Sequence, residues 1–178
     1  MIHEFSGVLD QQECEQLINA FEDNKELHER FDNDNRPSFT QLNITKNEII
    51  KDTQEVIVDK VFKMIDFYRQ TNPTLPSSTG LEELRIKKYN PDGDQFNWHI
   101  DVSDHPTAIR MLAVQIYLNT VDEGGETEFR VQGSSKVIKP IAGNAFCFPP
   151  MWMFPHCGKP TKSEPKYILT TYLHYVKD

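Results

Sequence analysis

Pro73-Thr74-Leu75-Pro76-Ser77-Ser78-Thr79-Gly80 divides the chain. Two prolines, two serines and a glycine in this stretch cannot continue a helix or a paired strand. Before it the apolar residues recur at helical spacing. After it they alternate in short runs separated by turn chemistry.

On the N-terminal side, Asp10 followed by Glu13 is a capping box. Cys14, Leu17, Ile18 and Phe21 then fall on one helical face, so a helix of roughly four turns is expected here. Residues 24–39, with Asp32-Asn33-Asp34-Asn35 and Pro37, read as loop. A second helix is expected from near Asn47, with Ile57, Val61, Met64, Ile65 and Tyr68 as its buried stripe. It must stop by Asn72, because the residue before Pro73 is driven out of the helical region.

Beyond the break, strands are expected at 84–89, 95–100, 109–118, 126–131, 136–140, 144–148, 151–156 and 166–175. Pro91-Asp92-Gly93-Asp94, Asp122-Glu123-Gly124-Gly125, Gln132-Gly133-Ser134 and Ala142-Gly143-Asn144 supply the turns. About eight short strands in roughly 95 residues suit a jelly-roll or double-layer barrel, with the two helices covering one outer face. The 178 residues fit one domain: a mainly helical support region over 1–80 and a β core over 81–178.

A net charge of −8 repels phosphate backbones and disfavours nucleic-acid partners. Cys14, Cys147 and Cys157 have no paired spacing and read as reduced thiols. The amino end lacks the basic and apolar regions of a leader, and no apolar run approaches the ~18 residues of a membrane span. A cytoplasmic protein is expected. Oligomeric state is not readable.

His99 and Asp101 stand at i and i+2, so a strand aims imidazole and carboxylate at one point while Trp98 and Ile100 face away. The alternation of Phe96, Trp98 and Ile100 is what marks the strand. His156, at the end of an apolar run that begins at Ala145, can close a two-histidine, one-carboxylate set. Such a set leaves coordination positions open and suits non-haem Fe(II) oxygen chemistry. A zinc site with three protein ligands is the competing reading. A solvent-facing polar strand and a core histidine remain the plainer ones. His105 is the alternative ligand, and Trp152, Phe154 and Phe148 could wall the site. On the last expected strand Lys166, Ile168, Thr170, Tyr172 and His174 share a face; turned inward, it buries an ammonium that needs an anion.

Together Tyr89, His99-x-Asp101, Gly124-Gly125-Glu126-Thr127-x-Phe129, Lys139-Pro140-x-x-Gly143, Phe148, His156, Lys166 and Thr170 resemble the prolyl 4-hydroxylase-like branch of the 2-oxoglutarate and Fe(II)-dependent oxygenases. The resemblance covers about 81–176. It implies a double-stranded β-helix and a dioxygenase that hydroxylates an unactivated C–H bond, with peptidyl proline as substrate. A free amino acid, small metabolite or nucleobase is the alternative substrate, and a non-catalytic jelly-roll binding module the alternative role. It further implies Fe(II) held by His99, Asp101 and His156, 2-oxoglutarate and molecular oxygen as co-substrates, and ascorbate as reductant. Lys166 would pair with the distal carboxylate of 2-oxoglutarate, Thr170 would assist it, and Tyr89 and Tyr117 would contact the co-substrate. The nucleic-acid demethylase branch uses arginine for the co-substrate, and no arginine follows Arg130. Asp101 also separates the chain from the halogenating relatives, which replace that carboxylate.

Overall fold

The computed structural model describes residues 1–33, 37–77, 79–91 and 93–176. In chain order it contains β1 (His3–Phe5), α1 (Gln11–Asp23), β2 (Glu29–Asp32), β3 (Ser38–Asn43), α2 (Lys51–Thr71), β4 (Thr79–Leu81), β5 (Arg85–Tyr89) and β6 (Phe96–His99). Then follow β7 (Arg110–Tyr117), β8 (Thr127–Val131), β9 (Ser134–Ile138), β10 (Ala145–Phe148), β11 (His156–Gly158) and β12 (Lys166–Tyr175). The protein is mostly β with two helices.

The strands form two antiparallel sheets. The larger has the order β1-β10-β7-β12-β5-β3-β2, with β4 on the end of β12; the smaller runs β6-β11-β8-β9. Alternation along β12 sorts its side chains between two clusters. Leu169 and Leu173 join Leu42, Ile86, Leu112, Val114 and Ile116 in packing against Leu17 and Phe21 of α1 and Ile57, Val61 and Ile65 of α2. Ile168 and Tyr172 face the other way, meeting Phe146, Phe148 and the small sheet's Phe129 and Ile138. One sheet face is therefore sealed by helices and the other by a second sheet, an arrangement consistent with a jelly roll.

The capping box forms as expected, with Asp10 Oδ1 accepting from the Glu13 amide and Glu13 Oε2 from the Asp10 amide. The five side chains named for the second helix are its buried ones. Its start is not: α2 begins at Lys51, because Asn47 donates back to the Asn43 carbonyl instead of capping a helix. Glu48 and Ile50 are left-handed there, at φ 55° and 49°. The Gln54 side-chain amide ties this turn down on the carbonyls of Ile44 and Ile49.

The expected loop over 24–39 contains β2 and the start of β3, and β1 extends the far edge of the large sheet. The 1–80 region is thus not only helical support. Its strands are short and carry charge (Glu29, Arg30, Asp32), which hides the alternation. Residues 151–154 form a turn closed by the Phe154 amide on the Met151 carbonyl, so the strand expected at 151–156 begins only at His156. Pro149, Pro150 and Pro155 have no amide to give a ladder. Asp34, Asn35, Ser78 and Asp92, quoted above as turn or break residues, lie outside the described residues. No described helix is long and apolar enough to cross a membrane.

Candidate metal centre

β6 lies against β11 with His99 opposite His156. Their partner pair is Phe96 opposite Gly158, so three steps on β6 match two on β11. The extra residue is a β-bulge, which puts Phe96 and His99 on the same face. Simple alternation groups Phe96 with Trp98. Instead Phe96 stacks on the His99 ring, with centroids 3.5 Å apart and planes 7° from parallel. Trp98 lies outside, under the Arg130 guanidinium at 3.9 Å.

Asp101 stands just past the end of β6 and still reaches both histidines. Its Oδ1 is 3.5 Å from His99 Nε2, and its Oδ2 is 3.7 Å from His156 Nε2. One ligand atom from each residue lies within 4.8 Å of the others. The second ring nitrogens are already held: His99 Nδ1 lies 2.7 Å from the Asn97 carbonyl, and His156 Nδ1 3.1 Å from that of Phe154. A carbonyl only accepts, so Nδ1 carries the proton in both rings and each Nε2 lone pair faces the centre.

Burial pushes the His156 pKa down to about 4, keeping that imidazole neutral. Burial also works to raise Asp101, but its two histidine neighbours and the nearby Lys87 ammonium hold its carboxyl below the usual value. Phe129 and Phe148 pack on the His156 ring, at 5.3 and 4.7 Å between centroids, and keep water from that side.

Lys166 ends in the recess beside the triad, 2% exposed. Its Nζ donates to the Gly125 carbonyl at 2.8 Å and lies 4.6 Å from the centre of the Tyr89 ring. Among the described residues no carboxylate pairs with it, and burial pushes its pKa down to about 8. Gly125 is left-handed (φ +72°), and a Cβ there would press on the Lys166 chain at 3.3 Å. Gly125 is thus what leaves room for the lysine chain in the recess.

The other expected residues divide. Tyr89 lines the recess, and desolvation raises its phenol well above the ordinary value. Tyr117 does not line it: its buried hydroxyl donates to Thr127 Oγ1 at 2.8 Å, and it is Thr127 that faces the recess. Thr170 shares the face but lies four residues along β12 from Lys166, ~13 Å of strand rise. It lines the adjoining cavity and donates weakly to the Arg85 carbonyl at 3.4 Å, so the two cannot grip one carboxylate. His105 is exposed on the 101–109 turns. Trp152 is 74% exposed and walls nothing; Phe154 serves through its carbonyl.

Residues outside the sequence motif also line the site: Lys87, Phe96 and Gln115. Lys87 was readable, because Arg85, Lys87 and Tyr89 alternate on one strand face.

A sequence-family profile described as the 2OG-Fe(II) oxygenase superfamily matches residues 84–174, just over half of the chain. The chain belongs to the 2OG-Fe(II) oxygenase superfamily. Its members use Fe(II), 2-oxoglutarate and O2, and the donor set of this oxygenase fits that metal. Asp101 Oδ2 and His156 Nε2 are buried polar atoms with no hydrogen-bond partner among the described residues, a cost that an ion between them removes.

Solved structures share the fold. A prolyl hydroxylase from Trichoplax adhaerens, in complex with a hypoxia-inducible-factor oxygen degradation domain peptide fragment, superposes with a TM-score of 0.82 at 17% identity, covering 97% of this chain and 83% of that one. A Pseudomonas putida prolyl-4-hydroxylase gives 0.72 at 18% identity, with 99% and 93% covered. The viral collagen prolyl hydroxylase of Paramecium Bursaria Chlorella virus-1, with 2OG bound, gives 0.69 at 22% identity, with 99% and 96% covered. No curated protein matches the sequence.

Proposed function

We propose that this oxygenase is a prolyl 4-hydroxylase-like dioxygenase acting on peptidyl proline, built as a single domain over 1–178 with a double-stranded β-helix core over 81–178. His99, Asp101 and His156 would hold Fe(II). Bound there with 2-oxoglutarate and O2, the metal supplies the oxidising power to hydroxylate an unactivated C–H bond while the co-substrate is converted to succinate and CO2.

The chain's own groups bind, orient and exclude. Lys166 receives the distal carboxylate of 2-oxoglutarate; an ammonium already stripped of water gains a charge-assisted hydrogen bond there. The Tyr89 ring covers it, and Thr127 offers a hydroxyl beside it. The Asn97 and Phe154 carbonyls hold the imidazoles in the ligating tautomer. Phe129 and Phe148 keep that side dry, which strengthens every charge interaction inside.

Ascorbate, as a reductant restoring Fe(II), and a cytoplasmic location belong to the same proposal. The buried free cysteines are compatible with a reducing compartment. Three prolyl hydroxylases among proteins of the same fold support the substrate class.

The observation that carries the reading is the convergence of His99, Asp101 and His156 beside an ammonium without an anion. Its test is aerobic turnover with Fe(II) and 2-oxoglutarate on a proline-rich peptide, scored by succinate release and by a one-oxygen mass gain on proline. Succinate without peptide oxidation would move the substrate elsewhere. Absence of both would remove the enzyme.

A further inference from the structure

Next to the metal recess lies a second cavity of about 340 Å3 that shares His99, Asp101, Phe96, Lys87 and Tyr172 with it. It is where a substrate would approach the metal. Three cationic side chains reach it, and they differ in how they are satisfied. Arg110 is held by Glu82 through two hydrogen bonds, at 2.6 and 2.9 Å, and stacks on Tyr172. Arg85 is held by Glu83 at 2.6 Å and Glu82 at 3.3 Å.

Lys87 has no such partner. Among the described residues its Nζ makes no hydrogen bond and no ion pair; it sits 4.8 Å above the Phe39 ring. Asp101 attracts it from a distance, and burial pushes its pKa down to about 8. Its direction matters. Phe39 is on β3, on the side of β5 away from β12, which carries Lys166. Lys87 also pairs in register with Ile168, one inward row beyond the Tyr89–Lys166 pair. The site thus holds two unmatched ammonium groups, and 2-oxoglutarate has a distal carboxylate for one of them.

We infer that the substrate of this site carries a carboxylate close to the carbon to be oxidised, and that Lys87 receives it. The inference rests on the functional reading above and narrows its substrate class. Two sources offer that group: the α-carboxylate of a free amino acid, or an acidic side chain beside the target residue of a peptide. Lys87 is then a specificity-determining residue, touching substrate and not the metal.

The test is calorimetric binding to the protein loaded with Mn(II) and 2-oxoglutarate under nitrogen, so that nothing turns over. The probes are free L-proline, the blocked peptide acetyl-Gly-Pro-Gly-amide, and its acidic relatives acetyl-Asp-Pro-Gly-amide and acetyl-Gly-Pro-Asp-amide. At least one acidic probe should bind roughly 10- to 100-fold tighter than the neutral peptide, the range of one charge-assisted hydrogen bond. Which one does so identifies the source of the carboxylate. In Lys87→Met that preference should vanish, in Lys87→Arg it should survive in part, and in the surface control Lys136→Met it should be unchanged.

Equal affinity for neutral and acidic probes, no binding of any acidic probe, or a preference that survives Lys87→Met overturns the inference. So does a loss in Lys87→Met of 2-oxoglutarate affinity instead of probe selectivity, since Lys87 would then serve the co-substrate. Wild-type protein that takes up neither Mn(II) nor 2-oxoglutarate fails earlier, and overturns the functional reading together with the inference.

Discussion

Replacing Lys166 by methionine should move the ligand-free and ligand-bound protein in opposite directions. In the ligand-free protein Lys166 is a buried ammonium whose pKa falls from 10.5 to about 8 under desolvation. That shift corresponds to about 3 kcal/mol of destabilisation at neutral pH. Methionine has a similar length and no charge, so it removes this penalty. It also leaves the Gly125 carbonyl without its donor, at about 1 kcal/mol. The net gain is about 2 kcal/mol, or roughly 4–8 °C in Tm for a chain of this size. With 2-oxoglutarate the sign reverses: a buried carboxylate stripped of its ammonium partner loses about 3–5 kcal/mol, roughly two to four powers of ten in affinity. Thermal melts of both proteins with Mn(II) under nitrogen, with and without 2-oxoglutarate, read both effects. Lys166→Met that melts lower without ligand yet binds 2-oxoglutarate as tightly as wild type would refute the reasoning.

Other perturbations follow from the same geometry. Lys166 and Lys87 both have folded-state pKa values near 8, below the unfolded value of 10.5. Below about pH 8 they are charged in both states and the penalty is complete; between about 8 and 10.5 the unfolded chain holds more protons, so ligand-free stability should rise with pH. Urea titrations across that window check this, and a flat profile contradicts it. Asp101→Ala and His156→Ala should each abolish the stabilisation by Fe(II), which at a hundredfold excess over Kd amounts to about 2.7 kcal/mol in wild type, as measured by anaerobic melts. Gly124→Ala forces a left-handed residue (φ +78°) against the Pro160 carbonyl and should destabilise by at least about 2 kcal/mol in chemical denaturation. Asp10→Ala removes half of the α1 capping box and should cost about 1 kcal/mol by the same measurement.

The features legible in the sequence were those written in local periodicity. The α1 cap, the buried stripe of α2 and the bounds of β12 each depend on neighbours a few residues apart. Several motif residues also meet in space: His99, Asp101, His156, Lys166 and Tyr89 line one recess. What was not legible depends on pairing across the chain. β2 and β3 are strands because β5 offers them an edge, not because their own charged residues alternate cleanly. The bulge between Phe96 and His99 is a property of two strands, and only the register against β11 reveals which face Phe96 takes. Thr170 and Lys166 share a face of β12, and strand rise separates what face-sharing joins. Tyr117 points inward as alternation requires, but Thr127 stands between it and the recess.

The central claim is that three side chains grip one ferrous ion whose open positions face Lys166. Crystals grown under nitrogen with Fe(II) and 2-oxoglutarate, with diffraction recorded on both sides of the iron absorption edge, test it directly. The account predicts a single anomalous peak at roughly 2.0–2.3 Å from Nε2 of His99, Nε2 of His156 and one oxygen of Asp101, with the co-substrate's distal carboxylate on the Lys166 ammonium. A peak elsewhere, or 2-oxoglutarate turned away from Lys166, would contradict it.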